Sequence, residues 1–321
     1  MSKLELQVFT GNANPELARH IVEYLGIPLG DAYIGKFPDG EIDVKINDDV
    51  RGSDVFVVQT TCTPVNESLM ELLIMIDTLR RASARRITAV MPYYGYARKD
   101  RKDEGRVPIT AKLVANLLVT AGVHRVISVD LHASQIQGFF DIPVDHLYAT
   151  PVFFRYLREL EIPDMIIVAP DAGSIKMNRA YAREFKTEYA IVDKRRLGPN
   201  LAAVYNVIGD VQGRNVVIVD DMIATGGSIA EACKIVKERG AKKVYVCATH
   251  AVLAGDALRR LDDSPIEKVA VTDTIPLGDK KSRHDRVRVL SIAPLLAEAI
   301  RRIHRNESVS YLFNGEFLPP L

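Results

Sequence analysis

The stretch Asn215–Ser228, NVVIVDDMIATGGS, constrains this chain more than any other. Val216, Val217, Ile218 and Val219 form a continuous apolar run between Gly213 and two aspartates, the pattern of a strand buried on both faces. Thr225-Gly226-Gly227-Ser228 then leads into a segment with Ile229, Ala232, Cys233 and Val236 at helical spacing, ending at Gly240. A second apolar strand follows at Val244–Thr249. Strand, hydroxyl- and glycine-rich loop, helix and strand make one unit of an α/β fold.

A loop of this kind at a helix N-terminus directs backbone N–H groups at an anion, and glycine allows the backbone to approach it closely. No Lys follows the glycines and no GxGxxG occurs, which excludes the two common nucleotide loops. Asp220 and Asp221 stand instead at the strand's C-terminal end, where open α/β sheets bind ligands. A phosphate cradle beside two carboxylates suits a phosphate at one end and a vicinal diol at the other, as in a ribose 5-phosphate. An ordinary βα turn with acidic capping residues is the alternative. The pattern resembles the phosphoribosyl-diphosphate motif of the type I phosphoribosyltransferase fold.

A length of 321 residues favours two domains. With 47% hydrophobic and 26% charged residues and a net charge of +1, neither nucleic acid nor a membrane surface is expected as a partner. Cys62, Cys233 and Cys247 form no CxxC pair, so neither a disulfide framework nor a zinc site is expected. No apolar run has transmembrane length and MSKLELQVFTG lacks a signal-peptide pattern, so the expected compartment is the cytoplasm.

Taken in order, the chain reads as a strand Leu6–Thr10, a helix Pro15–Leu25 begun by Asn14-Pro15, and a turn Phe37–Glu41 between two strands. That turn is either plain turn chemistry or an adenine platform, with a ring for stacking and acids for the exocyclic amine. Further strands are expected at Asp54–Gln59, Ile87–Pro92, Val126–Asp130, Met165–Ala169, Ala190–Val192 and Val269–Thr272. Helices are expected at Asn66–Arg81, Ile109–Ala121 and Ile292–His304, and a final strand at Ser308–Phe313. VFVVQTTCTPVNESLMELL runs parallel to VVIVDDMIATGGSIAEACK, with Gln59 and Thr60 where Asp220 and Asp221 stand. This suggests an internal duplication in which only the second copy kept the acids.

Pro92–Lys102 is aromatic and then cationic: either a solvated loop, or a stacking and polyphosphate surface of Tyr93, Tyr94 and Tyr96 with Arg98 and Lys99. His132 and Asp171, at strand C-termini, are either satisfied structural residues or contacts to Mg2+ and phosphate. Lys194, Arg195 and Arg196 precede Leu197-Gly198-Pro199-Asn200 and read as a cationic loop, either merely exposed or closing over a transferring phosphoryl group.

Taken together, FPDGE, PVNESLMELLIM, PYYGYARKDRK, DLHASQIQGFFDIPVDHL, APDAG, VDKRR, VDDMIATGGS and SVSYLF resemble, in order, the class I ribose-phosphate diphosphokinases (phosphoribosyl-pyrophosphate synthetases). The resemblance implies two type I phosphoribosyltransferase-like domains, each a mainly parallel sheet flanked by helices. The expected domains are residues 1–149 and 150–321, with the C-terminal tail packing back on the first. It implies Mg2+-dependent transfer of the diphosphoryl group of ATP to ribose 5-phosphate, serving nucleotide, histidine and tryptophan biosynthesis, by a cytoplasmic homohexamer built from dimers. Phe37, Asp39, Gly40 and Glu41 would hold adenine across a subunit interface, while Arg98, Lys99, Asp100 and His132 would bind the triphosphate. His132 and Asp171 would meet the metal, and Lys194 and Arg196 would be the catalytic pair. Asp220, Asp221, Ala224, Thr225, Gly226, Gly227 and Ser228, with Arg196, would hold ribose 5-phosphate.

The chain departs from the family pattern at four places, one of them Lys99, where Gln is usual, a change that preserves a donor. Ala224 replaces a common Asp, Ser174 a usual Gly, and Glu104-Gly105-Arg106 a usual Ser-Arg, leaving Arg106, Ser308 and Ser310 for an effector anion. Two other functions fit parts of the pattern: a phosphoribosyltransferase that consumes the diphosphate, and a non-catalytic regulatory subunit of the synthetase.

Overall fold

A computed structural model of the chain describes residues 4–196, 203–278 and 285–313. The chain divides into two compact units, one of Met1–Ala149 with Thr274–Pro276 and the chain from Ser291, the other of Thr150–Asp273 with Leu277–Leu290.

In the first unit the described elements are β1 (Leu6–Thr10), α1 (Pro15–Leu25), β2 (Ala32–Lys36), β3 (Ile42–Ile46), β4 (Asp54–Val58), α2 (Val65–Arg81), β5 (Arg86–Met91), α3 (Thr110–Ala121), β6 (Arg125–Val129) and β7 (Val144–Leu147). β1-β4-β5-β6-β7 form a five-stranded parallel sheet, and β2 and β3 a separate antiparallel pair. β4 reads DVFVV and is buried throughout, as strands of a parallel sheet covered on both faces must be. Asn14 caps α1 by accepting the Leu17 N–H at 3.3 Å, with Pro15 in the first turn and Gly26 closing the helix in the left-handed conformation.

The second unit contains α4 (Thr150–Glu159), β8 (Met165–Ala169), α5 (Ile175–Glu184), β9 (Tyr189–Arg196), β10 (Ala203–Ile208), β11 (Asn215–Met222), α6 (Gly227–Glu238), β12 (Lys243–His250), α7 (Ala257–Asp262), β13 (Lys268–Thr272) and β14 (Val287–Leu290). Its sheet runs β10-β9-β8-β11-β12-β13-β14, parallel except for the antiparallel β9–β10 pair at one edge. Each unit has its own apolar core.

The two units repeat one topology. Strands β1-β4-β5-β6-β7 correspond in order to β8-β11-β12-β13-β14, and α1, α2 and α3 to α5, α6 and α7. The hydrogen bond from Asp130 N to Leu147 O recurs as Asp273 N to Leu290 O. The duplication seen between the β4 and β11 segments therefore spans both units. By the same correspondence the β2–β3 hairpin carrying Phe37–Glu41 is the counterpart of the β9–β10 hairpin.

The helix that ends each repeat is exchanged. After β7, α4 joins the second unit and packs on α5, with Phe154 edge-on to Tyr181 at 4.9 Å and to Phe185 at 5.7 Å. After β14, α8 (Ala293–His304) joins the first unit and packs on α1.

Three expectations are corrected. The tail forms a 3-10 turn, Val309–Phe313, held by α8 beside β7 and not paired into the sheet: Arg302 lies 4.5 Å over the Tyr311 ring and donates to Ser308 O at 3.1 Å. Asp193–Arg196 is no loop: β9 continues to Arg196, since the antiparallel register with β10 pairs Lys194 with Tyr205 and Arg196 with Ala203. The side chains of Lys194 and Arg196 and the segment Leu197-Gly198-Pro199-Asn200 lie outside the described residues. Finally, Tyr93 and Tyr94 are buried and cannot serve as a stacking surface. Tyr94 donates to Ala111 O at 2.9 Å and meets Phe140 edge-on, and burial pushes its phenol pKa well up.

Candidate active site

In the second unit, β11 carries its apolar run through Val219 and ends on half-buried Asp220 and Asp221, followed by Met222. The loop beyond is anchored by backbone bonds on both of its sides. Ile223 N donates to His250 O at 2.9 Å, Leu253 N to Ile223 O at 2.9 Å, and Ala254 N to Ala224 O at 2.9 Å. Gly226 then turns the chain at φ 72° into α6. A Cβ on Gly226 would lie 3.2 Å from Ala257 O, so both conformation and space require glycine there. The first N–H groups of α6 have no carbonyl of their own helix to bond and carry the positive end of its dipole. Gly226→Ala is expected to destabilise the protein by about 1–2 kcal/mol, the cost of a left-handed side chain, and to raise KM for an anionic substrate held at this helix end. Urea denaturation and steady-state kinetics check this; unchanged values for both would remove the cradle role.

Asp171 comes to the same end of the sheet. Its Oδ1 accepts the N–H groups of Gly173 at 2.8 Å and Ser174 at 3.1 Å, and Ser174 Oγ donates to Asp171 O at 3.1 Å. Desolvation, then the charges of Asp221 and Asp171, hold the Asp220 carboxyl well above the usual carboxylate range. The side chain that binds these pieces together was not foreseen from sequence. Asn178, fully buried in α5, donates through Nδ2 to Ser174 O and to Val219 O, each at 2.9 Å. It ties the Asp171 loop to the residue before Asp220, and its only signal in the sequence is a polar residue on an otherwise apolar helix face.

In the first unit, Phe37 is 49% exposed at the tip of the β2–β3 hairpin. Phe37 N donates to Glu41 O at 2.8 Å, Gly40 N to Phe37 O at 2.9 Å, and Glu41 N to Asp39 Oδ1 at 3.1 Å, with Gly40 at φ 95°. The turn therefore presents its ring and acids outward, and an ion pair of Lys36 with Glu67 ties the hairpin to α2. Arg98 and Lys99 are exposed, and Lys99 Nζ pairs with Asp103 at 3.3 Å. Gln135 Nε2 donates to Asp100 Oδ2 at 2.6 Å, which joins this segment to the loop after β6 that bears exposed His132. That loop begins at Asp130, at φ 39°, whose Oδ2 accepts the Ala149 N–H at 3.0 Å. Buried His146, a second residue not foreseen, accepts the Leu131 N–H on Nε2 at 2.9 Å and so supports the residue next to His132. Arg106 is exposed at φ 63°, and among the described residues no hydrogen bond or ion pair joins it to Ser308 or Ser310.

Where the acids stand in the second unit, the first has Gln59 and Thr60. Gln59 is buried, donates to Glu71 Oε1 at 2.7 Å and to Ser68 O at 3.1 Å, and accepts from Ala13 N at 3.2 Å. Glu71 also accepts from Asn12 N at 2.6 Å and Asn12 Nδ2 at 2.9 Å. The place that corresponds to the acid pair is thus filled by a hydrogen-bonded plug.

Residues 6–122 match the family model for the N-terminal domain of ribose phosphate pyrophosphokinase, and residues 196–314 that for the phosphoribosyl synthetase-associated domain. The ribose-phosphate pyrophosphokinase of Ralstonia nicotianae is 54% identical over 314 residues, covering 98% of this chain and 99% of that one. The chain belongs to the ribose-phosphate pyrophosphokinase family. Members of this family are transferases. The pyrophosphokinase of Chromobacterium violaceum is 55% identical over 98% of the chain and 96% of its own length. The crystal structure of phosphoribosylpyrophosphate synthetase from Mycobacterium smegmatis superposes with a TM-score of 0.89 at 44% identity, covering 94% of this chain and 99% of that one.

The geometry also explains how a pyrophosphokinase of this sequence accommodates Ala224. The residue contributes its carbonyl, bonded to Ala254 N at 2.9 Å, so the course of the loop does not depend on its side chain. Among the described residues, no helix is long and apolar enough to cross a membrane.

Proposed function

We propose that this enzyme transfers the diphosphoryl group of ATP to the C1 hydroxyl of ribose 5-phosphate, giving 5-phosphoribosyl 1-diphosphate and AMP. The observation that carries this reading is the juxtaposition of the Asp220–Asp221 pair with the glycine-opened N-terminus of α6. The carboxylates bind the ribose hydroxyls as hydrogen-bond acceptors, and the N–H groups of Thr225–Ser228 with the two hydroxyl side chains hold the 5-phosphate. Phe37 and the acids of its turn take adenine; Arg98, Lys99, Asp100 and His132 take the triphosphate.

In the step itself, the C1 oxygen forms a bond to the β-phosphorus while the bond from that phosphorus to the bridging α-oxygen breaks. Charge grows on the departing AMP oxygen, and the hydroxyl proton is lost to solvent. Lys194 and Arg196 stabilise that charge, so electrostatic positioning supplies most of the acceleration. Lys194→Ala is expected to lower kcat by about 10²–10³, the usual cost of one such donor, with ATP affinity retained. Unchanged turnover in single-cycle kinetics would take Lys194 out of the step.

Mg2+ suits the donors present: the exposed Asp171 carboxylate is a hard oxygen ligand, and the carboxylates crowding Asp220 are relieved by a cation. Among the described residues no three acidic, His or Cys side chains converge into a metal-holding group. The ion would accordingly take oxygens from substrate phosphates beside Asp171 or His132. When bound, it neutralises phosphate charge. The same proposal makes the enzyme a cytoplasmic homohexamer built from dimers, with a place in nucleotide, histidine and tryptophan biosynthesis. Release of AMP from ATP, with and without ribose 5-phosphate, tests the reaction. AMP that appears only with the sugar, together with a new sugar diphosphate by phosphorus NMR, is the expected result; AMP formation indifferent to the sugar would reject it.

A further inference from the structure

The cradle at the start of α6 is short of positive charge. Asp220–Ser228 contains no Lys or Arg, and the first cation on α6 is Lys234, well along the helix. A sugar phosphate is largely dianionic near neutral pH, and backbone N–H groups are neutral donors. The fold nevertheless places a guanidinium over the loop. Arg260, on α7, donates from Nη1 to Thr225 O at 3.1 Å across 35 residues of chain. The same nitrogen lies 3.4 Å from where a Cβ on Gly227 would be.

The placement is firm. α7 begins against the loop itself, with Ala257 O 3.2 Å and Ala257 Cα 3.4 Å from the site of a Cβ on Gly226. The chain leading to α7 is bonded to the loop through Leu253 N and Ala254 N. Its neighbour on the helix is spent locally: Arg259 pairs with Asp256 at 3.1 Å and Asp263 at 3.8 Å. Among the described residues no carboxylate pairs with Arg260, which is exposed. One of its five N–H donors serves Thr225, and the others remain for an anion.

We propose that Arg260 is a substrate-binding residue, the cation that holds the 5-phosphate of ribose 5-phosphate from above Gly227 while clamping Thr225. A guanidinium suits both tasks, since its planar fork can bond a carbonyl and a phosphate oxygen together. This rests on the ribose 5-phosphate reading of the site and adds to it a residue supplied by a different βα unit.

The test compares Arg260→Ala, Arg260→Gln and Arg260→Lys with the wild type, reading KM for each substrate and, by titration calorimetry, binding of ribose 5-phosphate and of ribose. Arg260→Ala is expected to raise KM for ribose 5-phosphate about 10–100-fold, as for loss of a charged hydrogen bond, and to leave KM for ATP within about twofold. Arg260→Gln keeps a donor for Thr225 and loses the charge, so it should resemble Ala, and Lys should recover part of the loss. The preference for ribose 5-phosphate over ribose should shrink in the Ala and Gln variants. Wild-type behaviour of Arg260→Gln would show a bond to Thr225 and nothing more, and would overturn the proposal. Equal losses for ATP and ribose 5-phosphate would also overturn it. A wild-type enzyme that forms no AMP with ribose 5-phosphate would instead reject the reading of the site as a whole.

Discussion

Asp220→Asn is expected to make the ligand-free protein more stable at mildly alkaline pH while crippling its use of ribose 5-phosphate. Desolvation, and then the neighbouring charges of Asp221 and Asp171, raise the Asp220 pKa above its ordinary value. An acid with a raised folded-state pKa binds its proton more strongly in the folded chain than in the unfolded one. Its favourable contribution is therefore full below the unfolded pKa of about 3.9 and declines as pH rises through the raised value. Above that window the ionised group weakens the fold, and Asn, which resembles the protonated acid in shape, removes the penalty. The melting temperature of Asp220→Asn should exceed that of the wild type by a few degrees near pH ~8, at about 2–4 °C per kcal/mol for units of this size. The difference should vanish below the unfolded pKa of about 3.9, where the acid is protonated in both states. KM for ribose 5-phosphate should rise at least about tenfold through loss of charged hydrogen bonding, ~1.5–3 kcal/mol. KM for ATP should hold. A variant less stable than wild type across the whole pH range, or one that loses ATP affinity instead, would contradict the assignment.

The largest stability effect is expected at the other end of the molecule's exchanged helix. Asp54, the first residue of β4, is fully buried, and its carboxylate accepts a bidentate pair from Arg86, with Nε to Oδ1 at 2.7 Å. His304 Nδ1 lies 2.9 Å from Asp54 Oδ2, and Arg86 Nη2 donates to Ile303 O at 3.1 Å. These bonds fasten the C-terminus of α8 to the N-terminal ends of β4 and β5 in the first sheet. Removing Arg86 strands a buried carboxylate beside a single imidazole, so Arg86→Leu should cost about 3–5 kcal/mol, as for other half-broken buried pairs. Urea denaturation measures the loss, and hydrogen exchange over Ala293–His304 should show α8 released first. The double variant Asp54→Leu with Arg86→Leu should regain much of the stability, because no buried charge is left alone. A loss below about 1 kcal/mol for Arg86→Leu would mean that water already reaches the pair.

How much of this was legible in advance varied with the range of the interaction involved. Four-residue apolar runs such as Val216–Val219 identify strands because burial on both faces admits little else. Asn14-Pro15 marked the start of α1 through the chemistry of its unpaired N–H groups. The tyrosines of Pro92–Lys102 misled, since an aromatic run reads the same whether its rings face solvent or the core. Tyr94 found a buried carbonyl at Ala111 and a partner ring at Phe140, neither of which is local.

The α/β class, the duplicated unit, the membership of the family and the glycine-rich loop with its acid pair were all legible in the chain. These follow from side-chain periodicity, glycine conformation and short-range spacing, all of which act within a few residues. Which distant side chains reach that loop and its counterpart follows from packing in three dimensions. Asn178 joins the Asp171 loop to β11, Gln59 with Glu71 fills the corresponding place in the first unit, and Arg260 reaches Thr225 from the next helix. Packing also decided that each repeat gives its last helix to the other, and that the Phe37 hairpin corresponds to the β9–β10 hairpin. Such pairings depend on how sheets and helices pack in three dimensions, where partners far apart in the chain meet because burying apolar surface and satisfying polar groups permits one arrangement.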